Sequence, residues 1–301
     1  MTSMLNWHPK SGIKKAIVKA GGIRDEVLTA HPNGHFYSPV VNPSSLSGDL
    51  WSDRSGVAGI DFCSDRHRLL LSDWFPRHLP HFDYPFDEPE DPSRYFVGNS
   101  QFSWLDARTL FVFLRELRPK RMVEVGSGFS SLLSADVNHR FLNDEMDLTC
   151  IEPFPRPFLT TAIAGLNRVV TEKVENVDLT LFGQLESGDI LFIDSSHVAK
   201  TGSDVNHLFF EVIPRLSAGV FFHIHDIFLP GEYPREWVVN ENRSWNEQYL
   251  LQAFLMFNQS FEVFFGCSYA HRSFPDLVGA ALGLGGQSFG GGSMWIRRTS
   301  T

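Results

Sequence analysis

The chain has 301 residues, 43% of them hydrophobic and 20% charged, which is the composition of an ordinary globular protein with room for one large domain and an extension. A net charge of −9 argues against nucleic acid as the substrate, because proteins that bind it carry a basic footprint. No apolar run approaches the roughly 18 residues of a membrane span, the N-terminus lacks a secretion-signal profile, and Cys63, Cys150 and Cys267 are too scattered for a disulfide framework or zinc knuckle. A cytoplasmic protein acting on a small molecule, with no nucleic acid or membrane partner, is the expectation.

Residues 1–95 are rich in Pro, His, Asp and aromatic residues and show little periodicity. They read as an irregular N-terminal extension with short helices at 13–20 and 67–74, serving as a lid, part of an acceptor site or a homodimer element. Within it, His35-Phe-Tyr-Ser-Pro39 is the most site-like element, although Phe36 and Tyr37 could equally pack the extension onto a sheet. The acidic, proline-broken stretch 82–92 reads as a connector, since each proline drives its predecessor out of helix. The main domain is placed at 96–301.

From about residue 100, strand and helix patterns alternate, the signature of a doubly wound α/β fold with a mostly parallel sheet. A helix start at 103–106 leads into an apolar face made by Leu105, Phe111, Phe113, Leu114 and Leu117. Strands are expected at 122–125, 148–151, within 169–177, at 189–194 and at 219–226. The helix after Ser203 should bury Val205, Leu208, Phe209, Val212, Ile213 and Leu216 on one face. After a helix at 246–257, strands at 262–266 and 293–298 bring the total to seven and close the sheet as an antiparallel pair. The glycine-rich 283–292 between them reads as a flexible hairpin loop.

The eleven residues Arg121-Met-Val-Glu-Val-Gly-Ser-Gly-Phe-Ser-Ser131 form the most informative stretch. An apolar strand ends in Glu124, opens into a turn through Gly126, Ser127 and Gly128, and enters a helix near Ser130. Gly126 and Gly128 allow a tight turn and a close ligand approach, and the helix start aims free N–H groups at that ligand. Glu152, ending the next strand, is placed to accept the hydrogens of ribose hydroxyls. A dinucleotide site would carry a third small residue and an acid about 20 residues on, whereas here Ser131 stands at the third position and Glu152 lies 26 residues beyond Gly126. Glu124 would repel a pyrophosphate but suits the α-ammonium and sulfonium of S-adenosylmethionine.

A second group of residues ends strands four and five: Asp194-Ser-Ser-His197 and His223-Ile-His225-Asp226. In open α/β sheets ligands bind at the carboxyl ends of the strands, so Asp194 and Asp226 should face the same crevice as the glycine turn. Three readings stay open. Asp194, His225 and Asp226 could hold a divalent cation that acidifies an acceptor hydroxyl, with Mg²⁺ or Mn²⁺ favoured by carboxylates and Mn²⁺, Fe²⁺ or Zn²⁺ by an imidazole. His197 or His225 could be a general base without metal. These residues could also simply cap the strand ends. His223, deeper on its strand, reads as a core histidine. Loops at 198–203, with Lys200, and 228–237, with Tyr233, Arg235 and Trp237, are expected to border the crevice.

Glu-Val-Gly-Ser-Gly-Phe-Ser-Ser, Ile-Glu-Pro, Phe-Ile-Asp-Ser-Ser-His and His-Asp-Ile-Phe together resemble class I S-adenosylmethionine-dependent methyltransferases of the family 24 type, over about residues 95–270. The resemblance implies a Rossmann-like fold and methyl transfer to a small-molecule hydroxyl of sugar or natural-product type. A non-methylating, metal-dependent hydroxylase-like enzyme and a non-enzymatic adenosyl-ligand-binding protein are the alternatives. It also implies that Glu124 serves the methionyl ammonium, that Glu152 binds ribose, and that Glu175, Asn176 or Val177 borders adenine. Related sugar O-methyltransferases hold Mg²⁺ through acids matching Asp194 and Asp226, and His225 stands where a further acid would be. Ser130 replaces the family's third glycine.

Overall fold

The computed structural model describes residues 30–283 and 290–299. The helix expected at 13–20 lies outside them, as does 284–289. The first helix, α1 (Ser64–His78), precedes an irregular segment that runs to α2 (Trp104–Leu117). There follow β1 (Arg121–Val125), α3 (Phe129–Phe141), β2 (Asp147–Ile151), β3 (Arg168–Val170), α4 (Thr180–Gly183), β4 (Ile190–Ile193), α5 (Asp204–His207), β5 (Phe221–Ile224), α6 (Arg235–Val239), α7 (Glu247–Leu255), β6 (Phe261–Gly266), α8 (Cys267–Ser273), α9 (Pro275–Leu282) and β7 (Met294–Arg298).

The seven strands form one sheet in the order β3-β2-β1-β4-β5-β7-β6. β1 to β5 are parallel, and β7 runs antiparallel between β5 and β6. β4 and β5 are buried at every residue, as strands covered on both faces must be. The order reverses between β1 and β4, the switch point at which such sheets leave a crevice at the strands' carboxyl ends. No helix among the described residues is long and apolar enough to cross a membrane.

The core is aromatic. Trp295 on β7 meets Phe113 of α2 edge-on at 4.9 Å and Phe192 of β4 at 6.1 Å. Phe62, Leu70, Leu71, Phe75, Tyr95 and Val97, all N-terminal to α2, are buried in this same core. The six residues expected on the face after Ser203 are all buried. Their helix is irregular, however: α5 widens into a π turn (Leu208–Val212) and tightens into a 3₁₀ turn (Ile213–Arg215), where Pro214 has no N–H to extend the ladder.

Two expectations need correction. Ser103 is at the N-cap of α2 but makes no capping bond; Asp106 in that first turn instead accepts from the N–H groups of Gly292 (3.0 Å) and Ser293 (2.7 Å). The connection between β6 and β7 is not a simple hairpin, because α8 and α9 occupy its first half and Gly290–Gly292 return against the site. Sixteen apolar and polar residues with mixed spacing hid both helices behind the glycine signal.

α1 is tied to the sheet edge through His67, whose Nδ1 donates to Cys63 O (3.2 Å) while Nε2 accepts from Gly266 N–H (2.8 Å). That arrangement requires a neutral ring, and burial lowers its pKa to about 4. The unfolded chain binds the proton near pH 6.5 and the native chain resists it. His67 therefore contributes stability above pH 6.5 that is lost as pH falls towards 4. Thermal melts from pH 7 to pH 4 should show a fall in Tm that is shallower in His67→Gln; parallel profiles would refute the assignment.

Candidate functional site

β1 ends at Val125, and the turn that follows is fixed by its neighbours. Gly126 N–H donates to Ile151 O and Asp194 N–H donates to Val125 O, both at 2.9 Å. Gly126 has φ +79°, and a Cβ there would lie 1.8 Å from the Asp194 carbonyl oxygen. This glycine is therefore demanded by the contact between β1 and β4 within the tight turn that was expected, and it also lines the main cavity. Gly128 differs: its backbone is extended, and nothing lies within 4 Å of the place a Cβ would take. It leaves open space at the N-terminus of α3, where backbone N–H groups are free for a ligand.

Glu152 is held by both oxygens, accepting from Ser127 N–H (3.1 Å) and Phe154 N–H (2.8 Å). Its carboxylate borders the main cavity, which measures about 860 Å³ and is also lined by Ser127, Gly128, Ser130, Asp194, His197, His225 and Asp226. Ser127 Oγ is buried without a partner at this turn, which is the kind of donor a ligand satisfies. Arg156, held by Gln101 Oε1 at 2.6 Å, and Arg243, stacked on Trp237 and Trp245, bring positive charge to the same wall.

Glu124 is not on that wall. It is fully buried behind the turn, accepting from Ser130 Oγ (2.5 Å) and facing Cys150 Sγ (3.7 Å). Burial pushes its pKa up to about 8, so at neutral pH it is mostly a neutral acid. The charge argument built on Glu124 therefore passes to Glu152 and Asp194, which do face the cavity. Of the residues expected to border adenine, Glu175 lines an adjoining cavity of about 550 Å³ with Glu152, Asp194 and Lys200. Asn176 does not, and lies instead on a separate groove with Arg168 and Gln184.

The ends of β4 and β5 gather two histidines and four carboxylates. His197 Nδ1 donates to Glu247 Oε2 at 3.0 Å, while Nε2 stands 3.4 Å from Asp194 Oδ1 and 3.5 Å from Asp226 Oδ2. His225 Nδ1 lies 3.5 Å from Asp194 Oδ1 and from Asp226 Oδ1, and its Nε2 faces Asp106 Oδ2 at 3.4 Å without hydrogen-bond alignment. Burial opposes charge on both rings, but the carboxylates prevail: Asp194 and Glu247 raise His197 to about 10, and Asp226, Asp194 and Asp106 hold His225 well above the usual histidine range. Burial likewise works against ionised Asp194, yet His225 and His197 hold its carboxyl well below the usual range. At Asp226 burial wins and its carboxyl is raised. His223 is a core histidine, stacked on Phe192 at 3.8 Å, bonded through Nε2 to Ser293 Oγ and held neutral by burial.

The residues fit a divalent cation, with one change of ligand. Asp194, His197 and Asp226 offer donor atoms within 4.8 Å of one another. Asp194, His225 and Asp226 were the expected set, but His225 lacks a well-made bond on its outer nitrogen to fix which nitrogen keeps its lone pair. A third cavity of about 500 Å³ lies beyond His225 and Asp226, lined also by Trp104, Asp106, Phe228, Arg272 and Gly290–Gly292. Among the described residues, only Gln101, His225, Asp226 and Trp237 line both this cavity and the main one. Tyr233, expected in the pocket, is buried and accepts from Gln248 N–H at 3.0 Å.

Asp106, Glu247, Gln101 and the two arginines were missed. Each lies far in sequence from the strand ends, in a helix, or in a segment with no motif, so only the fold brings it in.

A family model described as a methyltransferase domain matches residues 123–227, the span from β1 through the end of β5 that contains the glycine turn and both strand-end clusters. A protein of unassigned function from Archaeoglobus fulgidus is 36% identical over 188 residues, covering 59% of this chain and 84% of the relative. The crystal structure of a candidate O-methyltransferase from Klebsiella pneumoniae aligns over 97% of both chains at 13% identity with a TM-score of 0.37, too distant to bear on function.

The two glycines should separate under mutation. Gly126→Ala is expected to abolish soluble, folded protein. Gly128→Ala should keep Tm within about 2 °C while weakening calorimetric titration of S-adenosylhomocysteine tenfold or more; loss of folding in both variants would refute the division of roles. Glu124 takes up a proton on folding, because its native pKa lies above its unfolded one, so its effect on stability worsens as pH rises from the ordinary glutamate range to about 8. Glu124→Gln should therefore melt higher than the parent at pH 8, with the advantage vanishing near pH 4. An advantage that does not vary with pH would overturn that account.

Proposed function

The chain belongs to the class I S-adenosylmethionine-dependent methyltransferases, and on that premise we propose that it transfers a methyl group from S-adenosylmethionine to a hydroxyl oxygen of a small molecule. The observation that carries this reading is the pair His225 and Asp226, the two ionisable residues lining both the main cavity and the cavity beyond it. The donor would lie along Gly128, Ser127 and Glu152, and the acceptor beyond the partition. When bound, S-adenosylmethionine supplies an electrophilic methyl on a sulfonium.

The protein's own contribution is mainly alignment. Glu152, fixed by two backbone N–H groups, accepts the ribose hydroxyl hydrogens. Arg156 offers its guanidinium to the α-carboxylate of the methionyl chain. The acceptor oxygen meets the methyl at the partition, where the oxygen–carbon bond forms as the sulfur–carbon bond breaks. The hydroxyl proton passes to Asp226, the carboxylate whose affinity for protons burial raises, with His225 and Asp106 behind it. A divalent cation held by Asp194, His197 and Asp226 would acidify that hydroxyl and lower the proton affinity of Asp226, so the base role of Asp226 is that of the cation-free site. Trp237 and Phe228 form an apolar wall that keeps water from the acceptor side.

Mass spectrometry across a panel of sugar, phenol and polyketide hydroxyl acceptors should reveal a 14-dalton gain that depends on S-adenosylmethionine. Asp226→Asn and His225→Gln should each lower turnover by about 10²–10⁴-fold while leaving S-adenosylhomocysteine binding within a few-fold. Methylation of amine acceptors alone would contradict oxygen as the target. Full activity in both variants would remove the partition from the mechanism.

A further inference from the structure

His197 is held in place by a helix start that no sequence motif marks. The backbone N–H groups of Asn246 (3.1 Å) and Glu247 (3.2 Å) both donate to His197 O, and the Asn246 side chain clasps Ala199 through its N–H (2.6 Å) and C=O (3.2 Å). The Trp245 ring lies 4.4 Å from the imidazole. His197 has φ +59°, a left-handed conformation that costs a histidine free energy unless its surroundings enforce it. Glu247 is 1% exposed, and one of its oxygens has no partner apart from this arrangement. A buried carboxylate and a strained backbone are thus both maintained to aim one ring.

The aim is specific. A carboxylate can only accept, so the 3.0 Å contact puts a hydrogen on His197 Nδ1 and turns Nε2, whose own proton a bound cation would displace, towards the two aspartates. The separations of 3.4 and 3.5 Å from Nε2 to Asp194 Oδ1 and Asp226 Oδ2 are long for hydrogen bonds. They match the edges of a coordination polyhedron with bonds of about 2.1–2.4 Å. A histidine that gives its outer N–H to a carboxylate while its inner nitrogen faces other donors is the arrangement by which proteins orient a metal-binding imidazole.

We infer that Glu247 is the positioning residue of a divalent-cation site in which His197 Nε2 is the nitrogen donor beside Asp194 and Asp226. The site shares its residues with the proposed methyl-transfer centre and so deepens that reading. One imidazole between two carboxylates favours Mn²⁺ or Fe²⁺ over Mg²⁺. Glu247 touches neither donor nor acceptor; it acts through His197 alone.

The test uses the full chain and Mn²⁺ as probe, with affinity and coordination read by electron paramagnetic resonance. Mn²⁺ should bind at least tenfold more tightly than Mg²⁺ in competition, and spin-echo modulation should show a coordinated nitrogen. His197→Gln should remove that modulation, and His225→Gln should keep it. Glu247→Leu should weaken Mn²⁺ by about 10–100-fold, while Glu247→Gln, whose Oε1 can still accept from Nδ1, should recover most of the loss. Absent nitrogen modulation in the parent, its persistence in His197→Gln, or unchanged affinity in folded Glu247→Leu would each overturn the inference. Should Glu247→Leu fail to fold, His197→Gln and Glu247→Gln still decide. S-adenosylhomocysteine binding is titrated on the same samples: binding of it without Mn²⁺ defeats only the cation site, and Mn²⁺ binding without it defeats the methyltransferase reading.

Discussion

The carboxyl end of β1 touches the carboxyl end of β4 backbone to backbone, and the site depends on that contact. The Asp194 carbonyl approaches Gly126 so closely that no side chain fits between them. Because the strand order reverses here, the two loops leave the sheet in opposite directions from one point. The glycine turn and the strand end that carries Asp194 are thereby welded together. Small shifts of β4 would move both halves of the site at once.

Around that point the protein concentrates charge that a core would ordinarily exclude. Two imidazoles sit among Asp106, Asp194, Asp226 and Glu247, each half of the group shifting the other. Burying any one alone would be costly, because an unpaired charge in a low-dielectric interior has no compensation. Together they are tolerable, and the cluster joins α2, β4, β5 and α7 into a rigid unit. Glu124, a few ångströms behind the glycine turn, takes the other route and stays neutral.

The sheet was legible because its signal is local. Continuous apolar runs such as 190–193, broken by Asp and Gly, announce buried parallel strands, and the six apolar positions after Ser203 announced their face even though the helix departs from ideal geometry. The strand-end acids and histidines were legible for the same reason, since topology sends strand ends to one edge. What sequence could not supply was direction and partnership. Glu124 stands two residues before a cavity-facing turn yet points inward, because alternate residues of a strand face opposite sides. Asp106 reads as a helix-cap acid and Glu247 as one more residue of a helix until the start of β7 and the end of β4 arrive beside them. Glycine at 126 and glycine at 128 are identical letters with opposite reasons, one excluded from bearing a side chain by the protein and the other open to the cavity.

The route of the chain between β6 and β7 has a consequence for how such a protein could diversify. The glycine-turn wall of the main cavity comes from the first half of the fold, from β1, α3 and the ends of β2 and β4, whereas Ser268, Arg272 and Gly290–Gly292, which line the cavity beyond, come from one late excursion between two antiparallel strands. That excursion is anchored at both ends by the sheet, and Cys267, Tyr269, Ala270, Phe274 and Val278 within it are buried in the core, so only positions outside that core are open to change. For engineering, Ser268 and Arg272, which line that cavity from α8, are the positions to vary, with the buried residues around them kept.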